Sequence, residues 1–379
     1  MSSDEYSDRE QSQIKHFALG LYLNVAARIL GQSRDIAYVD CCAGPWKSET
    51  SDYRDTSFGV ALRALRDARV FLRSKSKNPK FRMLLIEDDP GAFAKLKAFA
   101  GQTSVPETTI RAEKWDFTEH LDEIVGFARQ PPAFPFVFID PTGWKLAQLN
   151  VIKPILQLNP GEVLINLMSS FITRFVNDAH QDFTNLLGAK FAELRDLHGE
   201  EQEDEVVRRY CEAIRQVGGF RYVCALPVMK ADRDSFQFHR IYATRHLKGV
   251  EKFKEVERRA ARQTEVIRAE KQQKKREKRS RNLDLFTPEI RYQETRYQRL
   301  KGKNKGLAGS AVMNLIKTRD SLSYDECWAE AMQFAAVYES DLRGWLAAAE
   351  SQNLVRIAGR KTSAEVLKIR ANHTISLVR

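Results

Sequence analysis

The sequence predicts an α/β protein in three parts: a Rossmann-like domain with a parallel-rich seven-stranded sheet at 1–250, a basic helical linker at 251–305, and a winged-helix-like domain at 306–379. Three observations lead there. Solid apolar runs alternate with amphipathic stretches along the first two thirds of the chain, as strands covered by helices on both faces do. An acid closes or closely follows each of the first four runs: Asp40, Glu87, Asp116 and Asp140. The positive charge is concentrated in one later segment.

The elements follow in order. Ile14, Phe17, Leu21, Val25 and Ile29 recur at helical spacing, which predicts a helix over 10–30 stopped by Gly31. Ile36-Ala-Tyr-Val-Asp40 reads as a strand running into the loop Cys-Cys-Ala-Gly-Pro-Trp46. A helix over 57–73, a strand at 81–86, a helix near 91–100 and a strand at 109–113 come next. Residues 118–129 predict a helix and Phe136–Asp140 a fourth strand, followed by a helix at 146–158 and a fifth strand at 162–167. Two more strands are expected near 220–227 and 236–244, then a long basic helix over 251–281 with too few apolar positions to bury much of itself.

The second part of the chain reads differently. Residues 282–305 are expected to be irregular, with Tyr292 and Tyr297 set among Arg and Lys. That mixture suits either base stacking with phosphate contact or packing back onto the protein. Helices are expected at 307–319, 323–335 and 339–352, with Ser323 and Ser340 as caps. Asn353–Ile357 and Glu365–Ile369 bracket Gly359-Arg-Lys as a hairpin, completing a winged helix. Residues 306–379 are nearly balanced in charge, so this part suits protein docking about as well as DNA.

Composition narrows the function classes. The 379 residues exceed one typical domain, and 43% hydrophobic residues suffice for a sizeable core. The polar, acidic start and the lack of a long apolar run predict neither a secretory leader nor a membrane span. Five scattered cysteines without a CxxC pair predict no metal site and a reduced, cytoplasmic setting. The net charge of +11 equals that of residues 258–305 alone, which hold 17 Lys/Arg and 6 Asp/Glu. Such a segment either attracts nucleic-acid phosphates or is a solvated helix face. The nucleic-acid reading nominates Lys271, Lys274, Lys275, Arg276, Lys278, Arg279 and Arg281, with Arg174 after the fifth strand as a phosphate clamp.

Ligands of parallel sheets bind at the carboxyl ends of the strands, where the four acids fall. After the first strand, small residues let a ligand approach the backbone closely, nominating Asp40, Cys42, Ala43, Gly44 and Pro45 for the methionine part of S-adenosylmethionine. A tight turn is the simpler alternative. Glu87, or its neighbour Asp88, would accept hydrogen bonds from ribose hydroxyls. Asp116 and Phe117 would hold adenine, unless Asp116 merely caps a helix. Asp140-Pro-Thr-Gly-Trp144 is similar to the Asp/Asn-Pro-Pro-aromatic loop of amino-group methyltransferases. There Asp140 and Pro141 would accept from an exocyclic amine, and Trp144 would stack on a flipped base. The dehydrogenase alternative lacks a full GxGxxG sequence.

These stretches also carry a family resemblance over about 10–255. The chain resembles the three-Cys-motif partner proteins, a bacterial group with a Rossmann-like methyltransferase fold. The matching residues are Ile14-Lys15-His16 with Tyr22-Leu23, Tyr38-Val-Asp40-Cys-Cys-Ala-Gly-Pro45, Leu85-Ile-Glu87, Phe138-Ile-Asp140-Pro-Thr-Gly143, Leu164-Ile-Asn166 with Arg174, and Phe236–Thr244 with Lys248-Gly249. The resemblance implies that Asp40, Ala43, Gly44 and Glu87 bind the cofactor with Lys15 nearby, and that Asp140 and Pro141 face the acceptor. It also implies a separate three-cysteine, iron–sulfur-type partner protein. Where that family reads Asp-Leu-Phe-Ala-Gly-Pro-Gly, this chain has Cys41 and Cys42 for the apolar pair and Trp46 for the last glycine. The expected function is S-adenosylmethionine-dependent methyl transfer to an exocyclic amine of a nucleic-acid base. The alternative is an inactive methyltransferase-fold subunit that binds nucleic acid or a partner.

Overall fold

A computed structural model describes residues 10–44, 48, 50, 52–131, 133–175, 185–187, 194, 196–280, 294–362 and 364–378. The chain forms two compact units, the first from 1–223 with 228–290 and the second from 224–227 with 291–379. The division at Ile290/Arg291 differs from the expected boundaries at 250/251 and 305/306.

The first unit is built on a seven-stranded sheet, of which only residues 224–227 of one edge strand group with the second unit. The strands are β1 (Asp35–Asp40), β2 (Phe81–Ile86), β3 (Thr108–Glu113), β4 (Ala133–Ile139), β5 (Glu162–Leu167), β6 (Tyr222–Met229) and β7 (Phe236–Thr244), in the order β3-β2-β1-β4-β5-β7-β6. β1 runs parallel to β2 and β4, β2 to β3, and β4 to β5. β7 enters antiparallel to β5. β1, β4 and β5 are apolar on both faces because helices cover both, so their side chains are almost all buried.

The covering helices are α1 (Glu10–Leu30), α2 (Ser57–Arg73), α3 (Pro90–Gln102), α4 (Leu121–Arg129), α5 (Leu149–Leu156), α6 (Ser169–Phe175), α7 (Gly199–Gly218) and α8 (Leu247–Ser280). Thr56 and Asp89 cap α2 and α3 by accepting from Gly59 N and Ala92 N. α4 begins at Leu121 rather than near 118, because Asp116 closes a turn by accepting from Thr118 N at 2.9 Å. A short 3₁₀ turn, Lys145–Ala147, precedes α5 where a single helix was expected. α7 carries no expectation above, although Val206, Tyr210 and Ile214 recur on its buried face.

α8 corrects the expectation of a helix unable to bury itself. Val250, Phe253, Val256, Ala260, Thr264 and Ile267 form a buried stripe, with Lys254 and Glu257 paired inside it. Arg268 then ties the helix to the turn before β7 by donating to Lys230 O and Arg233 O. Charged residues dominate the composition of this helix, but they occupy the faces left over from the stripe.

The second unit contains α9 (Arg296–Arg319), β8 (Ser321–Ser323), α10 (Tyr324–Ala331), α11 (Glu339–Ser351), β9 (Val355–Ala358) and β10 (Thr374–Leu377). Its sheet runs β8-β10-β9, antiparallel throughout. Residues 296–305, expected to be irregular, are helical because Thr295 and Gln298 form a capping box. Ser323 caps α10 as expected. Ser340 does not cap α11: the cap position is Tyr338, whose N–H donates to Asp341. The last strand lies at Thr374–Leu377 rather than 365–369. Ile375 is fully buried there, while the Leu367 carbonyl accepts from Arg343 instead of joining a ladder. Among the described residues no helix is long and apolar enough to cross a membrane.

Candidate active site at the carboxyl edge of the sheet

The strand order places a switch point between β1 and β4. From β1 the sheet proceeds through β2 to β3 on one side and through β4 to β5 on the other. The loops leaving β1 and β4 therefore diverge, opening a crevice at the carboxyl edge. Parallel pairing brings Asp40, Glu87 and Asp140 to that edge from the adjacent strands β1, β2 and β4. Asp116 lies beyond the end of β3, further out.

Asp40 is fully buried. It accepts from Ser57 Oγ at 2.7 Å, Tyr38 Oη at 3.2 Å and the Cys42 N–H at 3.3 Å. Burial pushes its pKa up to about 7, against the lowering effect of those hydrogen bonds. Asp40 thus shapes the turn, while Cys42 and Gly44 are the partly exposed residues of it. Ala43 is buried, and its N–H donates to Ile86 O at 2.8 Å, fastening the loop to the end of β2. Burial also pushes the Cys41 and Cys42 thiols well above their usual range. Pro45 and Trp46 lie outside the described residues.

Glu87 follows β2 directly and is only 4% exposed. It accepts from the Asp89 N–H at 2.9 Å, and burial raises its pKa to about 7. Asp88 is exposed. Asp116 is exposed and takes both the N–H and the hydroxyl of Thr118, while Phe117 is buried. The structure therefore brings Glu87 next to the β1 loop and leaves Asp88 and Asp116 on the surface.

At the end of β4, Asp140 receives the Lys15 ammonium on both oxygens, at 2.8 and 3.1 Å. Lys15 comes from α1 and also sits 4.9 Å above the Phe238 ring. Burial works to raise the Asp140 pKa, but Lys15, Asn166 and Arg240 together bring it below the usual carboxylate value. Asp140 is thus held ionised. Pro141 is buried, and Trp144 is 8% exposed, so its ring offers little free face in this arrangement.

Sequence reading missed the layer beneath. Arg240 on β7 lies opposite Asn166 on β5 and is 1% exposed. Its Nε donates to Asn166 Oδ1 at 2.9 Å and its Nη1 to the Lys15 carbonyl at 2.7 Å. Burial lowers its pKa to about 10, still far above neutrality, so it stays charged. Arg240 Nη2 is buried with no hydrogen-bond partner among the described residues. The sequence hint was an arginine at the centre of the strand-forming run Phe236–Thr244. His16, beside Lys15, is buried and its pKa falls to about 3, first through desolvation.

The expected basic residues are less completely placed. Arg276 is exposed and Lys271 half-buried on α8. The side chains of Arg174, Lys274, Lys275, Lys278 and Arg279, and all of Arg281, lie outside the described residues.

No protein-family model and no curated protein matches the chain. Among solved structures, protein LPL1258 from Legionella pneumophila, of the DUF519 family, is 14% identical, with a TM-score of 0.35 over 61% of this chain and 84% of its own. The O-methyltransferase TomG from Streptomyces achromogenes, in complex with S-adenosylmethionine, is 15% identical with a TM-score of 0.31 over 60% and 79%. Loganic acid methyltransferase with S-adenosylhomocysteine is 13% identical with a TM-score of 0.31 over 72% and 90%. Likenesses of this size leave the chemistry to be read from the chain's own residues.

Proposed function

We propose that the first unit is an S-adenosylmethionine-dependent methyltransferase acting on an exocyclic amine of a nucleic-acid base. The observation behind this reading is the switch-point crevice, with a buried acid after β2 on one side and an ionised acid after β4 on the other. The donor set suits the cofactor. Glu87, largely buried beside the pinned Ala43 loop, is an acceptor of the kind that holds a ribose diol. Cys42 and Gly44 border the same crevice on the β1 side.

The bound cofactor would supply an electrophilic methyl group on a sulfonium. The chain's own residues position the acceptor. Asp140, locked as a carboxylate by Lys15, is a pure hydrogen-bond acceptor and a weak base. It suits an amine N–H, because a hydrogen bond to the carboxylate would draw the amino lone pair out of conjugation with the base ring, and the proton the nitrogen sheds on accepting the methyl would leave to water past Asp140. Arg240, anchored on Asn166, donates to the Lys15 carbonyl and so fixes the residue that pairs with Asp140, which makes acceptor geometry rather than acid–base work the source of rate. We further read the α-β-α-α-β-β order of the second unit, with its antiparallel β8-β10-β9 sheet, as a winged helix. Kinship with the three-Cys-motif partner proteins, and docking to an iron–sulfur-type partner, belong to this proposal as well.

A second reading is favoured by two observations: Asp140 is already engaged by Lys15, and Trp144 is buried. Both suit a methyltransferase fold kept as a binding subunit. Transfer of labelled methyl groups from S-adenosylmethionine to RNA or DNA, compared between wild type and Asp140→Asn, tests the choice. The enzyme reading expects labelling that the variant loses. Equal labelling by the variant, or none by either with and without the partner, contradicts it.

A further inference from the structure

We infer that the second unit holds a single unpaired base of a nucleic-acid strand in a pocket between α9 and α11, independently of the chemistry proposed for the first unit. The pocket encloses about 350 Å³, within the range of small-ligand sites, and its walls are mostly apolar. Gly306 and Gly309 on α9, and Gly344 and Trp345 on α11, form its centre. A Cβ on Gly309 would strike the Trp345 indole, so this glycine seats the ring. Among the described residues, nothing accepts a hydrogen bond from the Trp345 indole N–H, and the ring stays partly exposed.

The glycines mark close approach. Gly302, Gly306 and Gly344 stand in exposed helix positions, and a Cβ on any of them would meet nothing within 4 Å. Each weakens its helix by about 1 kcal/mol relative to alanine without serving the packing of its own unit. A ligand backbone passing close to both helices would account for them.

Charge identifies the occupant. α9 carries seven Lys/Arg and not one Asp or Glu in its 24 residues. Arg299, Lys301, Lys303 and Lys305 crowd its first three turns, and Lys305 lines the pocket. The acids on the facing helix are already engaged: Asp341 accepts from the Tyr338 N–H and pairs with Lys305, and Glu339 pairs with Arg343. Lys301 lies 5.2 Å from the centre of the Tyr338 ring, whose hydroxyl bonds that of Tyr297 at 2.8 Å. A cationic helix beside the partly exposed Trp345 ring, in a groove of small residues, is the arrangement that binds single strands. In a duplex the base faces are stacked, so the pocket selects an unpaired base.

The full chain, titrated into a fluorescein-labelled oligothymidylate of about ten nucleotides, tests the inference by polarisation at several salt concentrations. Gly344→Glu adds a carboxylate at the pocket wall where a Cβ has free space and removes a helix glycine, so its melting temperature should be no lower than that of wild type. Its affinity for the oligonucleotide should fall at least about fivefold, the low end for one lost base stack. Lys301→Gln/Lys303→Gln should reduce the slope of log affinity against log salt by about 0.7 per lost phosphate contact. A duplex of the same length should compete less well than the single strand. Unchanged affinity in Gly344→Glu, or equal competition by the duplex, would overturn the pocket assignment, leaving a protein segment as its occupant. None of these readouts involves the cofactor, so either proposal can fail alone.

Discussion

Individual residues at the carboxyl edge differ mainly in how burial and neighbours set their charge. Asp140 keeps its charge through Lys15, and removing that partner should expose the opposing effect of burial. In Lys15→Met the acid limb of the methyl-transfer pH profile should therefore move to higher pH, because Asp140 then protonates more easily. An unmoved limb would show that Lys15 does not govern the carboxylate. Asp40 and His16 make opposite contributions to stability. Asp40, raised to about 7, binds a proton more tightly folded than unfolded. Its contribution is fully present below about pH 4 and is lost as pH rises through about 7. His16, lowered to about 3, contributes above about pH 6.5 and loses that contribution as pH falls toward about 3. Thermal melts should thus show Asp40→Asn gaining on wild type as pH rises from about 4 to about 7. A constant difference across that window would contradict the raised pKa of this buried carboxyl. Asp40, Glu87 and Asp140 were legible in the sequence because an acid after an apolar run stands out. Arg240 and Asn166 were not, since their role comes from the pairing of β5 with β7, and pairing partners leave no local pattern.

At the scale of elements, a second buried network fastens α1 and β7 to the sheet. Glu162, at the start of β5, accepts from the hydroxyls of Tyr22, Tyr242 and Thr244 at 2.8, 2.7 and 2.8 Å. The Tyr22 and Tyr242 hydroxyls also bond each other. Gly249, in the first turn of α8, passes so close that a Cβ would overlap the Tyr242 hydroxyl and lie 2.9 Å from Glu162. Gly249→Ala should therefore destabilise the first unit by about 1–3 kcal/mol, despite alanine's better helix propensity. A stabilised variant in chemical denaturation would disprove the close approach. Phe253, one turn further on, stacks on Tyr242 with ring centres 4.6 Å apart. Phe253→Ala should cost about 3–5 kcal/mol, as for a core aromatic. A loss of a few tenths would instead return α8 to the status of a loose basic linker. The sequence misjudged α8 because one buried position per turn suffices to dock a helix, while the charged majority dominates its composition. It placed α2, β2, β5 and β7 closely, where apolar periodicity and capping residues agree. It misplaced β10 because Glu365–Ile369 alternates as well as Thr374–Leu377, and only the three-stranded ladder distinguishes them.

For the whole molecule, the account divides labour between units that are each interpretable alone. The first unit carries Glu87 and Asp140 at the carboxyl edge of its sheet, and the second a cationic helix with a cavity of about 350 Å³ beside it. An enzyme acting on a base needs both a methyl donor site and a way to hold a strand with that base unpaired. The sequence conveyed this broad division through its alternating runs and its localised charge, but it put the basic segment in a linker. Of its 17 Lys/Arg, α8 carries ten within the first unit and α9 five within the second. The central claim is the cofactor site, and calorimetric titration of the full chain with S-adenosylmethionine and S-adenosylhomocysteine tests it most directly. The account predicts micromolar binding of both, lost in Glu87→Ala while the melting transition persists. No heat up to millimolar cofactor, or undiminished binding by Glu87→Ala, would contradict it.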